Sequence, residues 1–261
     1  QKKELILARD RLGVKPLYYS KKGNKLVFAS DLHSLLLWSE IDKTCLNSEK
    51  IVEFMVYRHT MAPDTIIDQI NKLPPGHTLT INSNGNFLKK YWSLEIVSQP
   101  FEDEPQKKFL QLLREAVHSQ LMSDVPIGVL LSGGIDSAAI VALASEVRSN
   151  LRTFSIGFAN DSKSELAHAR TVANHFSTIH QEIVVTPADF ALAPKVIGLN
   201  DEPVAGPSSL AYYIMLGKIR EAGIKVVLLG HGADEILGGY EQLKILRLAQ
   251  KLGASSMLGN F

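Results

Sequence analysis

The spacing of apolar and polar positions changes character near residue 100. Before it, short apolar runs alternate with turn chemistry. ELILARD (4–10), KPLYYS (15–20) and KLVFAS (25–30) read as strands, separated by Gly13 and by the hairpin-type turn KKGN (21–24). SDLHSLLLW (30–38) predicts a short helix opened by Ser30, and NSEKIVEFMVYR (47–58) an amphipathic helix opened by Asn47 or Ser48. KLPPGHTLTINSNGNFLKKYWSL (72–94) reads as a Pro-Pro-Gly turn, a strand, an Asn-Gly turn and a second strand. This part is β-rich and mostly antiparallel, an α+β piece.

Beyond the polar stretch SQPFEDEPQ (98–106), which reads as a linker, the period lengthens. Phe109, Leu110, Leu113, Ala116, Val117 and Leu121 recur at helical spacing. VPIGVLL (125–131) is apolar throughout, as expected of a strand buried on both faces. TFSIGF (153–158), HQEIVVT (180–186) and IKVVLLG (224–230) read as further strands. Helices are expected after Gly134, over 165–176, near 188–198 and over 208–222. Strands alternating with helices imply βαβ units and a parallel sheet, an α/β fold. The chain thus divides into domains at 1–98 and 106–261.

Composition narrows the function classes. The net charge of +1 provides no basic face for nucleic acid. A single cysteine, Cys45, excludes a disulfide framework and a cysteine-rich metal site, and fits a reducing compartment, the cytoplasm. No run approaches 18 apolar residues, so no helical membrane span is expected. Neither end reads as a natural start or stop, and a fragment of a longer protein is expected.

The chemistry concentrates in VLLSGGIDSAAIVALA (129–144). An apolar strand stops at two glycines and resumes as a helix. Gly133 and Gly134 let the main chain approach a ligand, and the following helix presents its positive end. Ser132 and Ser137 add hydroxyls. Asp136 would repel a phosphate unless a cation lay between them, and Mg²⁺ binds one or two carboxylates together with substrate phosphates. The loop is not a Walker loop, since no Lys follows the glycines. A second strand leads into LLGHGADEILGGY (228–240), which supplies Asp234. Two carboxylates from two crossovers can share one Mg²⁺; the plainer reading is that Asp234 and Glu235 open a helix.

SGGIDS after a strand resembles the pyrophosphatase loop of the N-type ATP pyrophosphatases. ARDRLGVKPLYYS (8–20), FASDLHSLL (28–36), KLPPGHTLTI (72–81), MSDVPIGVLLSGGIDSA (122–138), FSIGF (154–158), DEP (201–203) and GADEILGGY (232–240) stand in the order seen in glutamine-hydrolysing asparagine synthetases. The resemblance implies the end of an N-terminal-nucleophile glutaminase domain, followed by the start of a synthetase domain with a parallel sheet of the adenine-nucleotide α-hydrolase-like type. It further implies an ATP-dependent amidotransferase that adenylates aspartate and transfers ammonia from glutamine, with ATP and Mg²⁺ required, small-molecule partners and a homodimeric assembly. By resemblance, backbone near Leu131 and Ile156 meets adenosine, with Leu229 and Gly230 near the nucleotide. Ser132, Gly133, Gly134 and Ser137 hold pyrophosphate, and Asp136 and Asp234 hold Mg²⁺.

This chain departs from the family pattern at LGHGADE, where SGEGxDE or SGDGxDE is usual. Leu229 replaces a serine. His231 replaces an acidic residue associated with adenylate formation and ammonia capture; an imidazole can act as a base but supplies no fixed negative charge. The family's N-terminal nucleophile Cys and a later phosphate-stabilising Lys are not among these residues, so the chain alone is expected to be incomplete for synthesis. Relatives on the same plan close lactams or amidate sugars and peptides. Another acceptor carboxylate, or an inactive paralogue, therefore stands as the alternative. Cys45, His77, His168, His175 and His180 read as structural or surface residues. Arg9, Asp10 and Arg11 read as turn residues, and Asp201 and Glu202 as candidates for lining a crevice.

Overall fold

The computed structural model describes residues 3–95, 104–159, 164–204 and 206–251. Contacts divide the chain into two units, residues 1–100 with 192–209, and residues 101–191 with 210–261.

The first unit is built from β1 (Leu5–Ala8), β2 (Tyr18–Lys22), β3 (Lys25–Ala29), α1 (Leu32–Leu35), α2 (Ser48–Tyr57), β4 (Asn71–Lys72), β5 (His77–Asn82) and β6 (Gly85–Lys90). Its strands pair antiparallel in two three-stranded sheets, β1-β5-β6 and β3-β2-β4. The β5–β6 hairpin closes at Asn82 and Gly85, so Ser83–Asn84 form the two-residue loop and Gly85 already lies in the strand. Asn47 caps α2 by accepting from the Lys50 amide at 3.2 Å. Asp31, not Ser30, caps α1: its longer carboxylate reaches the Ser34 amide at 2.8 Å. The core is small: Leu73, wholly buried, packs with Leu7 and Leu79 of one sheet and Tyr19 and Leu26 of the other, and Ile70, also wholly buried, packs with Tyr18, Leu32 and Leu35.

The chain continues through α3 (Pro105–Gln120), β7 (Ile127–Leu130), α4 (Ile135–Ser145), β8 (Arg152–Phe158), α5 (Leu166–His175) and β9 (Ile179–Val185). A 3₁₀ turn (Pro187–Leu192), α6 (Ala193–Leu199) and α7 (Ser208–Glu221) lead to β10 (Val226–Leu228), α8 (Ala233–Leu237) and α9 (Glu241–Lys251). Residues 98–103 of the expected linker lie outside the described residues, and from Pro105, a residue favoured in a first turn, the chain is helical. On α3 the helical stripe is buried only toward its end. Val117 and Leu121 are in the core, while Phe109 and Leu110 are 47% and 45% exposed.

The second unit holds a parallel sheet in the order β10-β7-β8-β9. Alternate residues feed two cores. Val129 and Leu131 pack with Val117, Val141, Ala169 and Ala173 from α3, α4 and α5. Phe154 and Ile183 pack with Met215 and Ile219 from α7. Both faces are therefore covered, which accounts for the unbroken apolar run at 125–131. The strand order reverses at β7: the chain runs outward to β8 and β9, then returns to place β10 on the other side of β7. Open α/β sheets bind ligands at such a reversal, beyond the strands' carboxyl ends.

Candidate functional site

The loops after β7 and β10 both open at that reversal. The first is braced from within. Ser137 Oγ donates to the Gly134 carbonyl at 3.0 Å and accepts from the Ser132 amide at 3.1 Å. Ser132 Oγ lies 3.0 Å from Ser137 Oγ and accepts from the Gly134 amide at 3.2 Å. Gly133 has φ +92°, and a Cβ there would meet the Glu165 carbonyl at 2.8 Å and His168 Cβ at 3.1 Å. Both its angle and its closeness to the start of α5 demand glycine. The N-cap of α4, Gly134, offers no side-chain cap. The first-turn amides of α4 have no acceptor within the helix, so the loop ends in a set of unpaired donors beside a helix dipole, an arrangement that binds anions.

The second loop comes against the first at one point. A Cβ on Gly230 would stand 3.5 Å from Asp136 Cβ and 3.7 Å from Ile140 Cδ1. Asp136 thus lies beside the backbone that leaves β10. His231 follows, exposed, with Nε2 3.4 Å from Tyr212 Oη of α7. Asp234 lies in the first turn of α8, and its carboxylate covers Gly239, where any Cβ would collide with it. Glu235 accepts from Tyr240 Oη at 2.7 Å, which holds its carboxyl below the usual range. The structure shows the helix reading of GADE: Asp234 and Glu235 stand in the first turn of α8, after β10.

Leu131 is wholly buried, and its amide is committed to the Phe154 carbonyl at 2.8 Å. Ile156 sits within the β8–β9 ladder opposite Ile183. Leu229 follows β10 and is half-buried. Asp201 and Glu202 belong to the first unit. Asp201 accepts from the Leu32 amide at 2.9 Å, and Glu202 takes Lys72 Nζ at 2.6 Å and Thr60 Oγ1 at 2.5 Å. With Arg58 and Tyr18 they line a cavity of about 420 Å³. Burial, then Glu202 and Asp201, push the Tyr18 phenol up to about 12. Arg9 donates to three carbonyls, and Asp10 accepts from three amides, so both hold a turn. Tyr212 was not legible as a site residue. The contact of His168 with the glycine loop was hidden because helical spacing alone places it on a surface.

Mg²⁺ suits this donor set. The carboxylates of Asp136 and Asp234 carry hard oxygen donors of the kind Mg²⁺ takes, and no cluster of three or more His, Cys, Asp or Glu forms a self-sufficient cage among the described residues. A cation here would complete its shell with phosphate oxygens and water. No helix among the described residues is long and apolar enough to cross a membrane.

The asparagine synthase profile matches residues 108–258, and a glutamine amidotransferase domain profile matches residues 1–92. Asparagine synthetase [glutamine-hydrolyzing] 1 of Bacillus subtilis is 34% identical over 239 residues, 89% of this chain and 37% of the relative. A putative asparagine synthetase of Methanocaldococcus jannaschii is 34% identical over 250 residues, 92% of this chain and 48% of the relative. NMN synthetase from Francisella tularensis aligns with TM-score 0.39 and 17% identity, covering 51% of this chain and 58% of that one, a likeness too low to support an assignment. The chain spans between about a third and a half of the curated relatives named here. With the synthase profile covering more than half of its residues, the chain belongs to the asparagine synthase family.

Proposed function

We propose that the chain is the nucleotide-activating part of a glutamine-dependent asparagine synthetase. The whole enzyme converts aspartate, ATP, glutamine and water to asparagine, AMP, pyrophosphate and glutamate. The carrying observation is the SGGIDS loop, which enters α4 through a glycine N-cap without a side-chain cap and opens at the strand reversal beside Gly230. On this reading residues 1–98 are the end of a glutaminase domain, and 106–261 the start of an adenine-nucleotide α-hydrolase-like synthetase domain. The enzyme works in the cytoplasm as a homodimer.

The loop amides with Ser132, Gly133, Gly134 and Ser137 hold the leaving pyrophosphate. Backbone at Leu131, Ile156, Leu229 and Gly230 flanks the adenosine. Asp136 and Asp234 hold Mg²⁺, which supplies charge neutralisation on the phosphates. The aspartate side-chain carboxylate displaces pyrophosphate from the α-phosphorus, giving an acyl-adenylate. Ammonia then attacks the acyl carbon, and AMP leaves. Because positioning and charge stabilisation dominate such steps, the fixed loop donors do most of the work. His231 accepts the proton lost by the attacking ammonia, with Tyr212 beside its ring. The test is aspartate-dependent exchange of labelled pyrophosphate into ATP by the full-length enzyme. Exchange that requires aspartate supports the reading; exchange driven by a different carboxylate, or none, rejects the acceptor or the activity.

A further inference from the structure

Beneath the glycine loop, the buried Thr153 and Ser155 of β8 meet the half-buried His180 of β9 and Thr178 just ahead of it. Ser155 Oγ contacts the Leu131 carbonyl at 2.5 Å and His180 Nε2 at 3.3 Å. His180 Nδ1 lies 2.9 Å from Thr153 Oγ1, and Thr153 Oγ1 lies 2.7 Å from Thr178 Oγ1. Thr153 and Ser155 are buried, and the His180 side chain is 11% exposed.

The directions are read from the Leu131 carbonyl; at the other end Thr178 Oγ1 lies 2.7 Å from Thr153 Oγ1 and 3.4 Å from the Ala173 carbonyl, so the nearer oxygen is taken as its acceptor. A carbonyl only accepts, so Ser155 spends its single proton on Leu131. Ser155 can then only accept from His180, which places a hydrogen on Nε2. A neutral imidazole carries one N–H, so Nδ1 is bare and accepts from Thr153. Thr153, its proton spent, accepts from Thr178. We propose that this relay makes Ser155 a positioning residue for the nucleotide site: with His180 in its Nε2–H tautomer, Ser155 holds the Leu131 carbonyl in one orientation at the root of the Ser132–Ser137 loop. The proposal rests on the nucleotide reading of that loop. Leu131 is thereby pinned on both sides, its amide by Phe154 and its carbonyl by Ser155.

The charged groups facing His180 are Glu182, at 3.9 Å on its own strand, and Arg170 of α5, which closes a two-pronged pair on Glu182 at 2.9 and 2.8 Å. Arg170 takes up the charge of Glu182, and burial pushes the His180 imidazole down from its ordinary value, so the neutral ring is favoured. The polar alternation was legible in part: Thr153 and Ser155 alternate on β8, and His180 and Glu182 on β9, in strands whose other positions are mostly apolar.

Two measurements on the full chain test the proposal. Long-range ¹H–¹⁵N correlation at pH 7 is expected to show His180 protonated at Nε2 and bare at Nδ1; an Nδ1–H ring or an imidazolium overturns the relay. Calorimetry with Mg·ATP is expected to show about tenfold weaker binding for Ser155→Ala, the loss of roughly one hydrogen bond's worth of positioning. His180→Gln keeps a donor toward Ser155 and an acceptor toward Thr153, and should retain most of the affinity that His180→Leu loses. Unchanged affinity in a folded Ser155→Ala chain overturns the positioning role alone. Failure of the wild-type chain to bind Mg·ATP overturns the nucleotide reading and the positioning role with it, leaving the tautomer as a separate result.

Discussion

Gly230 and Asp136 meet across the strand reversal: a side chain on Gly230 would begin 3.5 Å from Asp136 Cβ. Two loops separated by nearly a hundred residues are thus in contact at the edge where an α/β sheet takes its ligand. The spacing allows a methyl but not a branched side chain. Gly230→Ala should keep Mg·ATP affinity within a few fold, whereas Gly230→Val should displace Asp136 and weaken binding by more than tenfold, read by calorimetry. Equal affinity in both variants would separate Asp136 from the metal.

Gly133 is constrained twice, by φ +92° and by the Glu165 carbonyl 2.8 Å from any Cβ. Gly133→Ala should cost about 1–3 kcal/mol of stability in urea unfolding, the range for backbone strain at a required glycine. Gly223, with φ +78° but open space around it, isolates the dihedral contribution: Gly223→Ala should cost less. Equal losses would mean that packing against α5 contributes nothing.

The Lys72 side chain is 12% exposed, and its ammonium holds both Glu202 and the Thr60 hydroxyl and carbonyl. Lys72→Met keeps the stem and leaves Glu202 without its cation. Breaking one partner of a largely buried pair is costly, so a loss of about 2–4 kcal/mol in denaturant unfolding is expected. Lys72→Met/Glu202→Gln should recover part of that loss; no recovery would show that the pair itself contributes little.

Stability should also depend on the charge of His180. Its folded-state pKa is lowered, chiefly by burial, so the unfolded chain takes up a proton first as pH falls. The contribution is complete above the unfolded value of about 6.5 and is lost as pH drops from there toward the lower folded value. Thermal melts should fall across that window, and His180→Gln should flatten the fall. The lowered carboxylates, such as Glu182 and Asp189, act only at more acidic pH, because their ordinary values already lie near 4. An unaltered melting profile in His180→Gln would assign the fall to another group.

If His231 serves as the base, His231→Ala in the full-length enzyme should lower synthesis by about a hundredfold or more, while pyrophosphate exchange is largely kept. His231→Glu should bring no gain. A rise of orders of magnitude on introducing Glu would instead mark the histidine as a lesion in a decayed site.

Much of this arrangement was legible in the chain. The alternation of βα periods and the apolar run at 125–131 announced a parallel sheet, because residues covered on both faces must all be apolar. SGGIDS announced a donor-rich turn, because glycines ahead of a helix leave its first amides free. Besides Tyr212 and the His168 contact, three features were not legible. Asp31 and Ser30 are both good caps, and only geometry chooses between them. The half-exposed Phe109 and Leu110 carry the same helical period as the buried Val117 and Leu121, since periodicity records a face and not what covers it. The Ser155–His180 relay joins residues 25 apart through parallel pairing, a register that single-strand patterns do not encode.

The most direct test is Mg²⁺-dependent binding of ATP to the folded chain by calorimetry, beside Asp136→Ala. Saturable binding that requires Mg²⁺ and is lost in the variant is the predicted result. A folded chain that binds no ATP, or binds it equally well without Asp136, would contradict the assignment of the strand reversal as a nucleotide site.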